Sequence, residues 1–281
     1  MRLLTWNVQW CRGVDGIVDP GRIASEARRL GDPDVLCLQE INIGFSDLPG
    51  SRGENQVELL QRELPGYALF FGTAVDVPGP AGSRRHFGNL VASRLPVGRV
   101  TRHALPWPQA AVSTMPRAAV EAVIEAPFGA LRVVTTHLEY YSSGHRAAQI
   151  ERLRELHCGT NRETVPAVDE GPYQPMAHPA SALVCGDFNL PPQDPLRARF
   201  LEAFVDGTPK FVDAWEHLHP RQPHPHTFRV HERDEGQSPY CCDFVFVTED
   251  LAPRLRSISI DGANRASDHQ PVIVELSVSP R

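Results

Sequence analysis

Apolar and polar residues follow two spacings along this chain. Short runs rich in Val, Leu, Ile, Phe and Thr, bounded by Gly, Pro or Asp, predict strands. The predicted strands are 3–8, 34–39, 67–72, 89–93, 118–126, 131–137, 182–188, 243–248, 255–260 and 271–278. Segments with helical spacing predict helices at 20–30, 54–64, 145–157 and 195–205. Because the two kinds of segment are interspersed from end to end, we expect one α/β domain over residues 1–281.

Polar residues with useful chemistry stand at the ends of these predicted strands. The first strands end at Asn7, Glu40, His137 and Asp187, with Asn189 two positions later, while Asp243 opens a later strand and Asp268 and His269 precede the last one. One such residue alone is usual in a turn. Several together predict a meeting point at one edge of the sheets. The last two strands must then run opposite to the first four, which predicts mixed rather than purely parallel sheets.

The oxygen-bearing residues of this set suit a hard cation. Glu40, Asp268 and Asn7 offer carboxylate and amide oxygens without a thiolate, the donor set that Mg²⁺ or Mn²⁺ prefers. Asp187 and Asn189 are two positions apart, so in an extended strand end both side chains point the same way. Asp187 can then position or deprotonate a water while Asn189 donates to a neighbouring oxygen. The sequence therefore predicts hydrolysis of a phosphate ester.

Two histidines complete this prediction. His269 and Asp243 form a candidate imidazole–carboxylate pair, in which the carboxylate fixes the ring tautomer and raises the imidazole pKa. His137 is expected to supply a second cationic imidazole donor to the phosphate.

Charge and hydropathy restrict the class of protein. The net charge is −6, which excludes a basic surface that coats nucleic acid but leaves phosphate substrates open, since cation-binding carboxylates also count as negative. No apolar run approaches the roughly 20 residues of a membrane span. The first ten residues lack the long apolar core of a signal peptide. We therefore expect a cytoplasmic protein whose cysteines are reduced.

Two irregular stretches separate the predicted elements. Residues 159–179 are polar and contain prolines, which predicts a long surface loop. Residues 217–237 hold five histidines: His217, His219, His224, His226 and His231. Their spacing matches no closed tetrahedral zinc pattern, so we expect a solvent-exposed loop.

The strand-end segments carry a resemblance. TWNVQW, LCLQEI, VVTTHL, CGDFN, CDFVFV and SDHQPV resemble, in this order, the motifs of the endonuclease/exonuclease/phosphatase family. That family includes pancreatic deoxyribonuclease, abasic-site endonucleases, bacterial sphingomyelinases, inositol polyphosphate 5-phosphatases and deadenylases. The resemblance extends from Thr5 to about Glu275, and the pair G-D-F-N and S-D-H is its specific part.

The resemblance implies a fold and a role for each residue. The fold is a deoxyribonuclease I-like, four-layer α/β/β/α sandwich of two mixed sheets. Glu40 is the principal Mg²⁺ ligand, helped by Asn7 and Asp268. The remaining residues act on water and phosphate: Asp187 activates the water, Asn189 orients it, His269 with Asp243 contacts the phosphate or acts as general base, and His137 matches the histidine of the deoxyribonuclease, sphingomyelinase and phosphatase branches.

Within the family, some branches are disfavoured and the substrate stays open. Abasic-site enzymes carry an acidic residue where this chain has Gln9 and a tyrosine where it has His137. The substrate is a phosphodiester or phosphomonoester of a nucleic acid, nucleotide, lipid or sugar, with a nuclease among the candidates, and no protein partner can be inferred. Two other hypotheses are a catalytically idle family member that binds a partner through the same cleft and a zinc hydrolase that uses the His-rich loop.

Overall fold

Two six-stranded sheets form the centre of the protein in a computed structural model that describes residues 1–158, 177–231 and 238–280. The first sheet has the order β11-β12-β1-β2-β4-β3 and the second β5-β6-β7-β8-β10-β9. The first comprises β1 (Arg2–Asn7), β2 (Val35–Ile43), β3 (Ala68–Pro78), β4 (Arg84–Ser93), β11 (Leu255–Ile260) and β12 (Val272–Leu276). The second comprises β5 (Val97–Ala104), β6 (Ala118–Ala126), β7 (Gly129–His137), β8 (Ala182–Asp187), β9 (Phe211–Asp213) and β10 (Asp243–Thr248).

Helices cover the outer face of each sheet. They are α1 (Pro20–Arg29), α2 (Gln56–Glu63), α3 (Ser143–Cys158) and α4 (Pro195–Leu201). The short α5 (Ala214–Leu218) instead packs Ala214 and Trp215 into the layer between the sheets. Asp19 caps α1 by accepting from the Arg22 backbone N–H, and Pro20 occupies the first turn. No helix among the described residues is long and apolar enough to cross a membrane.

Three apolar layers hold these elements together, because successive strand residues point to opposite faces. Leu3 of β1 packs in the layer between the sheets, with Val133 of β7 and Leu183 of β8. Leu4 faces the other way, toward Ile23 of α1. On the second sheet, Phe200 of α4 packs in the outer layer. The expected four-layer α/β/β/α sandwich is confirmed.

Strand directions agree with the sequence argument. β1 is parallel to β2 and antiparallel to β12, and β7 is parallel to β8, which is antiparallel to β10. Both sheets are therefore mixed. The ends of β1, β2, β7 and β8 and the starts of β10 and β12 then lie at one edge of the sandwich.

Some elements differ from the sequence prediction. β5, β9 and α5 were not predicted, because β5 carries Arg and His along an edge strand and the other two are too short to show a period. β3 and β4 extend beyond the predicted strands 67–72 and 89–93, and pair as far as Pro78 and Arg84. Residues 159–176 of the predicted surface loop lie outside the described residues.

Candidate active site

The eight predicted residues lie at one edge of the two sheets. Six of them line one cavity of about 560 Å³: Glu40, His137, Asp187, Asn189, Asp268 and His269. The other two, Asn7 and Asp243, are buried and bond directly to members of that group. The structure thus brings all eight together.

Strand register aligns three of these side chains in the second sheet. His137 of β7 pairs with Asp187 of β8, and Asp187 pairs with Asp243 of β10. The preceding residue, Gly186, has φ +131°, and a Cβ there would lie 2.0 Å from the Thr136 carbonyl oxygen. Only glycine therefore permits β7 and β8 to pair this closely next to the site.

Backbone strain places two of the polar residues. Glu40 has φ 62° and sits where the register between β2 and β4 shifts, between Leu38 and Ile41. A bulge of this kind redirects a side chain that a regular strand would bury or expose differently. Asn189 also has positive φ, 51°. Positive φ in non-glycine residues is uncommon and clusters at functional sites.

Asn189 does not reach the cavity in the way the sequence argument supposed. β8 ends at Asp187, and Asn189 is in the left-handed region rather than extended. Its backbone N–H donates to Asp187 Oδ1 at 2.9 Å, and its Nδ2 donates to the Leu138 carbonyl oxygen at 2.9 Å. A tight turn, not strand periodicity, therefore brings both side chains to the cavity.

His269 is held from three directions. Its Nδ1 lies 2.9 Å from Asp243 Oδ2, and the Trp6 indole N–H donates to its carbonyl oxygen at 2.9 Å. The ring of Phe228 packs on the imidazole with centroids 4.4 Å apart. Burial lowers the pKa of His269, but the charges of Asp243, Asp187 and Asp268 outweigh it and raise the pKa to about 10. His269 is therefore cationic at neutral pH.

Asn7 links the two halves of the site. Its Nδ2 donates to Glu40 Oε1 and to Asp187 Oδ2, both at 3.0 Å. Its Oδ1 accepts from the backbone N–H of Gln9 at 3.1 Å. In this arrangement Asn7 orients two carboxylates, and its predicted role as an oxygen ligand requires the amide to turn.

The carboxylates repel one another. Burial, then the negative charges of Asp268 and Asp187, raise the pKa of Glu40 to about 7. Burial and Asp243 raise the pKa of Asp187 to about 6, although His269 lowers it. Asp268 Oδ2 accepts from Gln9 Nε2 at 2.6 Å. A divalent cation among these oxygens would relieve the repulsion, so the donor set fits the hard cation that the sequence predicts.

One other donor combination lies at the same place. Asp187, Cys242 and His269 have ligand atoms within 4.8 Å of one another. Burial and the charges of Asp187 and Asp243 raise the pKa of the Cys242 thiol well above its ordinary value, and Sγ lies 3.5 Å from Asp243 Oδ2. A protonated thiol is a poor ligand. The oxygen donors therefore remain the better cation site.

His137 differs from its expected charge state. Its Nε2 lies 3.4 Å from Asp187 Oδ2 and its Nδ1 3.9 Å from Glu40 Oε1. Burial and the positive charges of Arg117 and His269 lower the pKa of His137 well below its usual range. The ring is thus neutral, because a desolvated imidazole beside two cations does not hold a proton.

Arg117 is a residue of the cavity that the sequence analysis missed. It precedes β6, is 6% exposed, and its Nε lies 3.4 Å from Glu139 Oε2. Its Nη1 is buried without a hydrogen-bond partner. Since a buried guanidinium nitrogen without a partner is costly, this group is suited to an anionic ligand. No motif marks Arg117, and only its burial identifies it.

Of the predicted His-rich loop 217–237, the structure describes residues 217–231, and these are only partly exposed. His217 and His226 are exposed, but Nε2 of His224 lies 3.0 Å from Asp213 Oδ2 and that side chain is buried. His231 Nε2 contacts the carbonyl oxygen of Asn264 at 2.7 Å. The expectation of a wholly solvent-exposed loop was wrong, because His224 is buried by its contact with Asp213. None of the loop histidines that the structure describes belongs to a group able to hold a metal.

Comparisons with known proteins agree with this geometry. A family model described as "Endonuclease/Exonuclease/phosphatase family" matches residues 4–269. A search of curated proteins finds no match.

Solved structures with the same fold include proteins with different printed activities. An endonuclease/exonuclease/phosphatase from Beutenbergia cavernae is 22% identical, with a TM-score of 0.66 over 99% of this chain and 72% of that one. TDP2 of D. rerio, complexed with single-strand DNA product, is 19% identical, with a TM-score of 0.66 over 99% and 98% of the chains. A mannosyl-6-phosphatase of Bacteroides thetaiotaomicron is 15% identical, with a TM-score of 0.66 over 99% of both. At these identities the likeness establishes the fold.

Proposed function

This chain belongs to the endonuclease/exonuclease/phosphatase family, and we propose that it is a metal-dependent phosphoesterase that hydrolyses a phosphodiester or phosphomonoester bond with water. One observation carries the proposal. Glu40, Asp187 and Asp268 converge on one cavity together with the Asp243-paired imidazole of His269. Asp187 is buried and Glu40 and Asp268 are half-buried, so this group of carboxylates is costly without a cation, and the raised pKa values of Glu40 and Asp187 reflect that cost.

Glu40 and Asp268 would hold the cation, with Asn7 as a third oxygen ligand if its amide turns. We propose Mg²⁺, with Mn²⁺ as a substitute, because the donors are oxygens. Such an ion, when bound, stabilises negative charge on the phosphate and on the leaving oxygen. Asn7 also spaces Glu40 from Asp187, since it donates to both.

Asp187 would position the attacking water and accept its proton. Its raised pKa, about 6, makes the carboxylate a better base than an ordinary aspartate while keeping it largely ionised at neutral pH. Asn189 bonds through Nδ2 to the Leu138 carbonyl oxygen, and the second N–H of that amide is available to orient the water or a phosphate oxygen.

Three further groups would act on the phosphate. Cationic His269 donates from Nε2, since Nδ1 is engaged by Asp243. A pKa of about 10 favours a phosphate contact over the role of general base, which requires a neutral ring. Neutral His137 donates or accepts according to its tautomer, and Arg117 presents its unpartnered Nη1.

The proposal is tested with bis(p-nitrophenyl) phosphate and p-nitrophenyl phosphate as diester and monoester. We expect Mg²⁺-dependent release of nitrophenolate that a chelator abolishes. Asp187→Asn should lower kcat by about 10⁴-fold, which is the order of loss seen when a hydrolase loses one of several catalytic residues that act together. Asp250→Asn, at an exposed residue two positions after β10, is the control and should leave the rate unchanged.

Three results would contradict the proposal. No turnover of either ester, with Mg²⁺ still bound, indicates a catalytically idle member that binds through the same cleft. Turnover that survives Asp187→Asn places the reaction elsewhere. Turnover supported by Zn²⁺ that survives Glu40→Ala favours a zinc hydrolase.

A further inference from the structure

The cavity extends beyond the catalytic residues along the protruding part of the first sheet. β3 and β4 continue as a paired ribbon past the bulge opposite Glu40, and there Phe87 of β4 pairs with Val75 of β3. Both side chains line the cavity, as do Phe45 and Leu48 from the loop that follows β2. We call Phe45, Leu48, Val75 and Phe87 the apolar wall.

Contacts among its own rings and with Arg85 hold the apolar wall in place. Phe45 and Phe87 meet edge to face with ring centroids 6.4 Å apart, and the Arg85 guanidinium lies 4.6 Å from the Phe45 ring centre. Arg85 is in turn 3.3 Å from Asp47. Because the rings are fixed by these contacts, the wall presents a preformed surface rather than a collapsed loop.

Apolar and aromatic side chains also line the cavity from the second sheet. Met115 approaches from the segment before β6, and Tyr140 and Tyr141 follow β7. The two tyrosines pack edge to face at 4.8 Å, and they are 36% and 71% exposed. A thioether and exposed aromatic rings adapt to a flat apolar ligand, and their exposure costs free energy that such a ligand would recover.

We propose that this cavity selects phosphate esters that carry an aromatic ring next to the phosphate, an aryl group or a nucleobase, over esters of sugars and other polyols. This inference rests on the proposed function, because the phosphate of the ligand must lie at the carboxylate centre. The ring would pack between the apolar wall and Tyr141. The hydroxyls of a polyol would face Leu48, Val75 and Phe87, where they lose hydrogen bonds to water without replacement.

Dimensions and polarity agree with this selection. A volume of about 560 Å³ holds a phosphate and one or two rings, within the range of small-molecule sites. Ser113 and Thr114 are the uncharged hydroxyl-bearing side chains other than tyrosine among the described lining residues. Gln9, Glu139, Arg229 and the tyrosine hydroxyls also line the cavity, but Gln9 donates to Asp268, Glu139 accepts from Arg117, and none of these groups belongs to the apolar wall. A polyol packed against that wall finds no hydrogen-bond partner in it, whereas aromatic stacking requires none.

Binding calorimetry in the presence of Mg²⁺ tests the selection without requiring turnover. The ligands are benzylphosphonate, thymidine 5′-monophosphate and 2,3-dihydroxypropylphosphonate, which share a phosphate-like head. We expect both ring-bearing ligands to bind at least about tenfold more tightly than the polyol, as one well-packed apolar group provides. The ratio between the aryl and nucleoside ligands then shows which source of the ring the cavity prefers.

Variants at exposed or half-buried positions avoid loss of folding. Leu48→Gln and Tyr141→Ala should each raise the Kd of the ring-bearing ligands by about fivefold or more while leaving the polyol unchanged, and Leu48→Met should restore binding. Val205→Gln is the matched control, an exposed aliphatic residue outside the cavity lining. It should change no Kd.

The outcomes separate this inference from the proposed function. Equal affinity for ring and polyol ligands, or equal losses for both in Leu48→Gln, would overturn the selection even if esters are hydrolysed. A ring preference in a protein that hydrolyses no ester would support the selection and overturn the proposed function. Hydrolysis with kcat/KM higher for ring-bearing esters supports both.

Discussion

Two ionic clusters of this protein contain carboxylates and basic side chains in opposite proportions. One has an excess of carboxylates, and the other has an excess of basic groups. At the cavity, Glu40 and Asp187 lie beside further carboxylates, and their pKa values rise to about 7 and about 6. On the second sheet, Glu121 of β6 lies instead among basic side chains: Arg132 Nη1 is 3.1 Å away and His178 Nε2 is 2.9 Å away. Burial raises the pKa of Glu121, but His103, Arg132 and His178 lower it to about 2.

The direction of the pKa shift separates the two roles. Glu121 is electrostatically satisfied, so it contributes to the folded structure and needs no ligand. Glu40 and Asp187 lie in an excess of negative charge, and under the proposed function a bound cation would offset that cost. A buried charged residue alone therefore does not identify a functional site, whereas a cluster with an excess of charge of one sign does.

Among variants that remove a partner of a buried ionic group, the largest effect is expected when the His269 imidazole loses Asp243. Asp243→Asn removes the carboxylate that fixes the His269 tautomer and raises its pKa, so kcat should fall about 10³-fold with little change in KM. The alkaline limb of the pH–rate profile should also move to lower pH. Steady-state kinetics between about pH 6 and pH 10 measure both.

The control for that change is a second buried histidine–carboxylate pair, His224 with Asp213. Asp213 Oδ2 lies 3.0 Å from His224 Nε2, outside the cavity. Asp213→Asn should cost stability but change kcat less than about tenfold. Equal losses of kcat in the two variants would mean that Asp243 acts only on folding.

Removing the satisfied carboxylate should produce the next largest effect, and in stability rather than rate. Glu121→Gln leaves Arg132 buried without its ion pair and should lower the free energy of unfolding by about 3 kcal/mol. Urea unfolding measures this loss. Glu125→Gln, exposed on the same strand, should change stability by less than about 0.5 kcal/mol.

Mg²⁺ should bind at the carboxylates of the cavity and stabilise the protein there, and it should not bind at the cluster around Glu121. At a hundredfold excess over Kd, Mg²⁺ should add about 2.7 kcal/mol to the stability of the wild-type protein. Asp268→Asn should lose most of that gain, and Glu121→Gln should retain it. Thermal unfolding with and without Mg²⁺ provides the comparison, and stabilisation that survives Asp268→Asn would place the ion elsewhere.

The smallest effect is an opposite pH dependence of the two clusters in metal-free protein. The folded-state pKa of Glu40 exceeds its unfolded value, so this group costs stability as pH rises from about 4 to about 7. Glu40→Gln should therefore gain stability relative to wild type over that interval, by up to about 2 kcal/mol.

Glu121 should show the reverse sign. Its folded-state pKa is depressed, so the stability that it contributes is present above about pH 4 and is lost as pH falls toward 2. The stability deficit of Glu121→Gln should therefore shrink on acidification. Urea midpoints across pH, in chelator, test both slopes, and parallel slopes for the two variants would remove the distinction between the clusters.

Sequence reasoning located the edge that carries the candidate site because the residues there follow from local sequence patterns. Asn7, Glu40, His137 and Asp187 each end an apolar run, and strand direction follows from the need to bring them together. It missed the apolar wall because Val75 and Phe87 lie in polar-looking stretches that become strands only by pairing with each other.

Two properties that were predicted wrongly from the sequence, the charge of His137 and the exposure of His224, depend on contacts with residues elsewhere in the chain. The charge of His137 depends on Arg117 and His269, which are distant in sequence. Burial of His224 depends on Asp213 and has no counterpart in the spacing of the loop. Periodicity contains no information about such partners, because they are brought together by sheet topology.

The most direct test of the account is the Mg²⁺ dependence of ester hydrolysis in two variants side by side. The rate of bis(p-nitrophenyl) phosphate turnover against Mg²⁺ concentration should be saturable in wild type and in Glu121→Gln, and Glu40→Gln should lose at least about 10³-fold of it. A rate that is unchanged in Glu40→Gln, or that persists without divalent cation, would contradict the assignment of the cavity as a metal-dependent hydrolytic centre.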